Sequence, residues 1–130
     1  MIFLDTSAVY ALADRDDANH RRAVDELARL LASGEQFVTH NYVLVESMAL
    51  VQHRLGLTAA MKLAHDADAF EIEWISKPVH EEAVERLGEA DRRHLSLVDA
   101  TSFIVMRARG LSTAFAFDPY FRQEGFAVLP

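Results

Sequence analysis

Cysteine is absent from the 130 residues. That removes disulfides, thiolate zinc sites and a cysteine nucleophile together, and it accords with a cytoplasmic protein. Also missing is any apolar run near the ~18 residues that a membrane-spanning helix needs, so no membrane association is expected. The N-terminus lacks the basic start of a signal peptide, and Asp5 interrupts its apolar stretch. Positive charge is scarce: 13 Lys and Arg against 20 Asp and Glu give a net charge of −7. This argues against a nonspecific nucleic-acid coat, which needs concentrated cations. It leaves open an enzyme that reaches nucleic acid through divalent metals. No linker, repeat or low-complexity segment divides the chain, and 51% hydrophobic residues suffice for a core. Residues 1–130 therefore read as a single domain.

What is present alternates between strand and helix. Ile2-Phe3-Leu4 is a continuous apolar run, which suits a strand covered on both faces. It stops at Asp5, and a helix over Ala8–Ala13 follows. Asp16 or Asp17 opens a second helical pattern carrying Ala23, Leu27, Leu30 and Leu31, closed by Ser33-Gly34. Gln36–Thr39 reads as a second strand, and Asn41 as the cap of a helix ending near Arg54. Thr58 caps a fourth helix to about Ala69. Phe70–Ile75 alternates in the manner of an edge strand with one wet face. Pro78 starts a fifth helix to about Ala90, and a sixth spans about Leu97–Arg109. Ser112–Phe117 and Phe126–Leu129 complete the strands. Strands separated by helices call for a parallel sheet with right-handed crossovers.

Four acids stand where acids are costly. Asp5 and Asp118 each end an apolar strand, at the carboxyl edge where open α/β sheets bind ligands. Asp99 opens an otherwise apolar helix. Glu46 has Tyr42, Val43, Ala49 and Leu50 as its same-face neighbours. Each has a plain structural use: a helix cap for Asp5, a favourable helix-dipole charge for Asp99, a turn before Pro119 for Asp118, and a buried ion pair for Glu46. Together they can meet at one sheet edge, where the first and fourth strands, if neighbours, flank a topological switch point. Carboxylates crowded in a dry pocket do not all stay ionised without cations, and oxygen-only ligands favour Mg²⁺ or Mn²⁺.

With those motifs in view, the chain resembles a PIN-domain ribonuclease, nearest the VapC-type toxins of toxin–antitoxin pairs. The resemblance rests on Leu4-Asp5-Thr6-Ser7, the helix carrying Glu46, Ser96-Leu97-Val98-Asp99-Ala100-Thr101-Ser102, and Ala116-Phe117-Asp118 followed by Phe121 and Gly125-Phe126. It runs the whole chain in order, though each motif is short. It implies a three-layer fold with a parallel five-stranded sheet in the order 3-2-1-4-5 flanked by helices. It also implies Mg²⁺- or Mn²⁺-dependent hydrolysis of RNA phosphodiesters by Asp5, Glu46, Asp99 and Asp118 as catalytic, metal-binding residues. A cognate antitoxin and a homodimer are the partners it implies. Two positions depart from the family: Ala116 replaces a common Ser or Thr, and Tyr120 a common His.

Around the acids, Thr6, Ser7 and Ser102 are candidates to support the ligands, with helix capping an equal use for each. Arg92 and Arg93, in the loop before Asp99, are the expected RNA contacts, and His40 lies near the same strand edge. The six histidines show no metalloprotease spacing. A von Willebrand A-type metal site would need Ser where Val9 stands. A haloacid-dehalogenase-like phosphatase would need Asp at Ser7, and a receiver domain an acid where Ser76-Lys77 ends the third strand. The remaining alternative is a PIN domain with weak catalysis that binds RNA or protein.

Overall fold

The computed structural model describes residues 1–130. Five short strands form one parallel sheet in the order β3-β2-β1-β4-β5: β1 is Ile2–Leu4, β2 Phe37–His40, β3 Glu71–Glu73, β4 Thr113–Phe115 and β5 Ala127–Leu129. The expected order holds. β1 lies at the centre, so its three residues are buried from both faces. Glu71–Glu73 is the edge strand that the alternation predicted, with one residue exposed.

The connections are helical: α1 (Thr6–Ala13), α2 (His20–Ala32), α3 (Asn41–Leu55), α4 (Leu57–Asp66), α5 (Lys77–Ala90), α6 (Leu97–Ala108) and α7 (Tyr120–Gln123). The packing pairs α1 with α2 and α3, and α3 with α4, while α5 packs on α6. Right-handed crossovers explain this division, because connections running toward β3 and toward β5 fall on opposite faces. Phe3 points to the α6 side, where its ring meets Phe121, which in turn packs on Phe103. The main core holds 23 buried residues drawn from both layers. No helix is long and apolar enough to cross a membrane.

Several boundaries differ from the sequence expectation. α2 starts at His20, not Asp16 or Asp17, because two side chains hold the preceding stretch in turns. Asp14 accepts from the Asp16 amide (3.0 Å) and Asp17 from the Asn19 amide (2.8 Å). The cap of α3 is His40, whose Nδ1 accepts from the Tyr42 and Val43 amides. Asn41 instead accepts from the Ile75 amide at 2.7 Å, tying α3 to the end of β3. Thr58 does not cap α4: Gly56, at φ 96, passes the chain straight from α3 into it. α4 itself ends at Asp66, and a 3₁₀ turn covers Ala67–Ala69. Lys77 opens α5, with Ser76 as its cap and Pro78 in the first turn. The one-turn α7 has no counterpart in the sequence reading, since four residues carry no detectable period.

Candidate active site

Strand register sets the site. Leu4 pairs with Phe115, and the Asp5 amide donates to the Phe115 carbonyl at 3.1 Å. The segments leaving β1 and β4 therefore start side by side, bringing Asp5 and Asp118 together. Asp5 caps α1, its Oδ2 accepting from the Ser7 amide (3.0 Å) and the Ser7 hydroxyl (2.6 Å). Ser7 Oγ accepts in turn from the Phe117 amide at 2.9 Å, so one hydroxyl stitches the two strand ends together. Asp118 Oδ1 accepts from the Tyr120 amide at 2.9 Å, a turn that leads into α7.

Asp99 arrives from α6. Ser96 and Asp99 form a reciprocal capping box: Asp99 Oδ2 accepts from the Ser96 amide (2.9 Å), and Ser96 Oγ from the Asp99 amide (3.1 Å). Capping and a place in the site thus coexist. Asp5, Asp99 and Asp118 each commit one oxygen to local backbone, and the Asp5 and Asp118 carboxyls lie within reach of each other. Ligand oxygens of the three lie within 4.8 Å of one another.

Glu46 lines the same cavity of about 420 Å³ but stands outside this tight trio. Thr6, the first residue of α1, lines it too, and its buried Oγ1 lies beside Glu46 without a close hydrogen bond. A larger cavity, about 1280 Å³, opens between α2 and α4 over Val9, Leu12 and Phe37; it contains none of the four acids.

The electrostatics follow from crowding and burial. Burial, with the Asp118 charge beside it, raises the Asp5 carboxyl to about 8, outweighing the Ser7 bonds that favour the anion. Burial likewise pushes Glu46 up, with Asp99 and Asp118 adding and the nearby Thr6 hydroxyl opposing. Asp99 is raised for the same first reason, against the pull of its Ser96 bonds. No Lys or Arg forms an ion pair with any of the four; the cations found at carboxylates pair elsewhere. Unpaired carboxylate oxygens clustered without a cation form a hard-oxygen donor set that fits Mg²⁺ or Mn²⁺.

Three expectations about the surroundings change. His40 is fully buried, packed against Phe3, and therefore out of reach of RNA. Its Nε2 lies 2.8 Å from Ser102 Oγ, which donates to the Val98 carbonyl at 2.9 Å. Ser102 therefore braces α6 against β2 and does not touch the acids directly. Arg92 is drawn away by Glu124 (2.5 Å), which also holds Arg107 at 2.8 Å. Arg93 is exposed and does not line the cavity.

Cavity-lining groups that the sequence reading passed over are Tyr10, Arg54 and His94. Glu46, Leu50 and Arg54 repeat every four residues on α3, a spacing that does mark one helix face. The two departures from the family pattern are also placed. Ala116 is buried with its amide on Leu129, and Tyr120 opens α7.

Comparison with known proteins agrees with this geometry. The PIN domain family model matches residues 2–126. The chain is 41% identical over 129 residues to "23S rRNA-specific endonuclease VapC20" of Mycobacterium tuberculosis, in strains CDC 1551 and H37Rv, covering 97% of this chain and 95% of the relative. The crystal structure of Mycobacterium tuberculosis VapC20, described as a sarcin–ricin loop cleaving toxin, superposes with a TM-score of 0.88 at 39% identity over all of both chains. FitAcB from Neisseria gonorrhoeae shares the fold at a TM-score of 0.70 and 17% identity, over 100% of this chain and 97% of that one. A parallel sheet in the order 3-2-1-4-5, edged by converging acids and matched along almost its whole length, places this chain in the PIN-domain family.

Proposed function

We propose that this chain is a metal-dependent endoribonuclease, the toxin of a toxin–antitoxin pair, and that its substrate is the sarcin–ricin loop of 23S rRNA. The observation that carries the chemistry is the trio of aspartates with oxygens within 4.8 Å of one another and no cation paired to them. The substrate assignment is supported by the 41% identity to VapC20, whose name states 23S rRNA specificity and whose crystal structure is described as that of a sarcin–ricin loop cleaving toxin.

Asp5, Asp99 and Asp118 would hold Mg²⁺ or Mn²⁺. Such an ion supplies Lewis-acid chemistry: it acidifies water and offsets charge on a phosphodiester. The chain's own groups do the rest. Ser7 fixes the Asp5 carboxylate and keeps it in register with Phe117. Glu46, across the cavity, has a raised pKa, which suits it to orient an attacking water and accept its proton. The Thr6 hydroxyl, beside Glu46, favours that carboxylate's anion in the same space.

The test uses purified protein and 23S rRNA in Mg²⁺, Mn²⁺ or EDTA, with cleavage mapped by primer extension. A single cut in the sarcin–ricin loop is expected, lost in EDTA and lost in Asp5→Asn. Cleavage that survives EDTA overturns the metal dependence. RNA binding without cleavage under every condition leaves a binding module instead.

The same family membership supports an antitoxin that covers the pocket, and a homodimer. Light scattering of the chain alone, then co-expressed with its antitoxin, reads both; a monomer that binds no antitoxin refutes them.

A further inference from the structure

A pocket walled by carboxylates repels the RNA it must admit, and the chain as a whole is acidic. Cations fixed at the rim are therefore required, and their charge must not already be spent. Arg29, Arg86, Arg92, Arg107 and Arg109 all sit on carboxylates. Arg22 and Arg54 do not, and both are exposed; Arg54 lies close enough to Asp14 to favour its anion but forms no ion pair with it.

Each lies over an aromatic ring that lines the acidic cavity. Arg54 Cζ stands 5.0 Å from the Tyr10 ring centre, and Arg22 Cζ 5.6 Å from that of Phe117. Tyr10 is fixed by its own hydroxyl, which donates to Asp14 at 2.6 Å. Phe117 adjoins Asp118, and its amide is held by Ser7. A third stacked arginine makes the contrast: Arg107 lies 5.3 Å from the Phe126 ring but is bound to Glu124, so its charge is neutralised.

We infer that Arg22 and Arg54 are the RNA-anchoring residues, holding backbone phosphates on either side of the scissile bond. This deepens the ribonuclease reading and depends on it. The chemistry is suited: a guanidinium laid on a ring is pre-oriented, while its edge keeps several donors free for a phosphate. The α3 periodicity puts Arg54 two turns beyond Glu46 on the cavity face, and Arg22 reaches the strand end that carries Asp118. RNA thus enters along the α1–α2–α3 side of the pocket, not over the Arg92 loop, where Glu124 has claimed Arg92 and Arg93 stands off the cavity.

The experiment measures kcat and KM on a synthetic sarcin–ricin RNA at several KCl concentrations. Wild type, Arg22→Ala, Arg54→Ala, the double variant and Arg86→Ala are compared, each checked for folding by circular dichroism. The log–log slope of kcat/KM against salt should flatten by roughly 0.7 for each arginine removed, as counterion release predicts for single strands. KM should rise about tenfold for each, the scale of a charge-assisted hydrogen bond at an exposed site.

Arg54→Lys and Arg22→Lys should restore the slope but only part of the KM, because an ammonium lacks the planar fork. They also carry the test should an alanine variant fail to fold. Arg86→Ala, whose charge is paired on α5, should leave the slope as in wild type. Wild type that cleaves, with the same slope and KM in the double variant, overturns the inference alone. So does an equal flattening in Arg86→Ala, which would report net charge and not contact. Wild type that cleaves no RNA refutes the ribonuclease reading itself.

Discussion

Asp5 carries opposed demands. Its Ser7 bonds favour the anion, while burial and the neighbouring Asp118 favour the acid, and the latter win, setting the carboxyl at about 8. The folded value lies above the unfolded one of about 3.9, so the folded chain holds this proton more tightly over the interval between them. Its contribution to stability is complete below the unfolded pKa and is lost as pH rises through the folded one. Each pH unit in that interval costs up to ~1.4 kcal/mol. In EDTA, wild-type Tm should therefore fall between about pH 6.5 and about pH 8. Asp5→Asn keeps an oxygen for the helix cap but bears no charge, so its Tm should be higher at the upper pH and nearly flat. Scanning calorimetry decides this. A lower Tm with an unchanged pH slope would mean that the carboxylates do not crowd one another.

At the scale of elements, His40 shows how one side chain joins three of them. It ends β2, caps α3 through Nδ1, and meets Ser102 of α6 through Nε2. With Nδ1 accepting from amides, the proton sits on Nε2 and donates to Ser102, whose own hydroxyl proton goes to Val98. Burial drives the imidazole pKa down to about 4. A depressed base is stabilising above its unfolded pKa of about 6.5, and that stability is lost as pH falls toward the folded value. Asp5, Glu46 and Asp99 are all raised and slope the opposite way, so the effect is read in the Asp5→Asn background as the difference made by His40. There, the share of stability due to His40, taken against the same chain with His40→Asn, should drop from about pH 6.5 to about pH 4, by up to ~3 kcal/mol. Adding His40→Asn keeps a cap acceptor, loses the Ser102 link at a cost of about 1–3 kcal/mol, and should remove this slope. Urea titrations at several pH values measure both. A slope that persists in His40→Asn assigns it to another group.

On the scale of the whole molecule, three chain segments far apart in sequence supply the aspartates, so an ion there would cross-link β1, α6 and the end of β4. Mg²⁺ or Mn²⁺ at a hundred times its dissociation constant should stabilise wild type by ~2.7 kcal/mol. Asp99→Asn keeps the acceptor for the Ser96 amide yet removes a ligand charge, so its gain should be distinctly smaller. Scanning fluorimetry in EDTA and then Mn²⁺ reads the difference. An equal gain in Asp99→Asn would leave Asp99 as a helix cap and nothing more.

The sequence by itself determined the alternation of strands and helices, and the acids at the ends of Ile2–Leu4 and Ala114–Phe117. It also showed Glu46 on a largely apolar face. These are local properties: a run, a period or a stop can be read from neighbours along the chain. Boundaries were less legible where side chains competed with periodicity, as at Asp14–Asn19 and His40. The sheet order came from family resemblance, since alternation fixes that strands pair but not which ones. Tertiary structure alone decided that Asp5, Asp99 and Asp118 form a tight trio with Glu46 facing them across the cavity. It alone set His40 in the core, with no surface left to offer RNA. Charge was the least legible feature: Arg92 and Glu124 are 32 residues apart, and only their meeting in space shows that this cation is spent while Arg22 and Arg54 are not. Periodicity tells which face a side chain occupies; its partner is set by non-local packing.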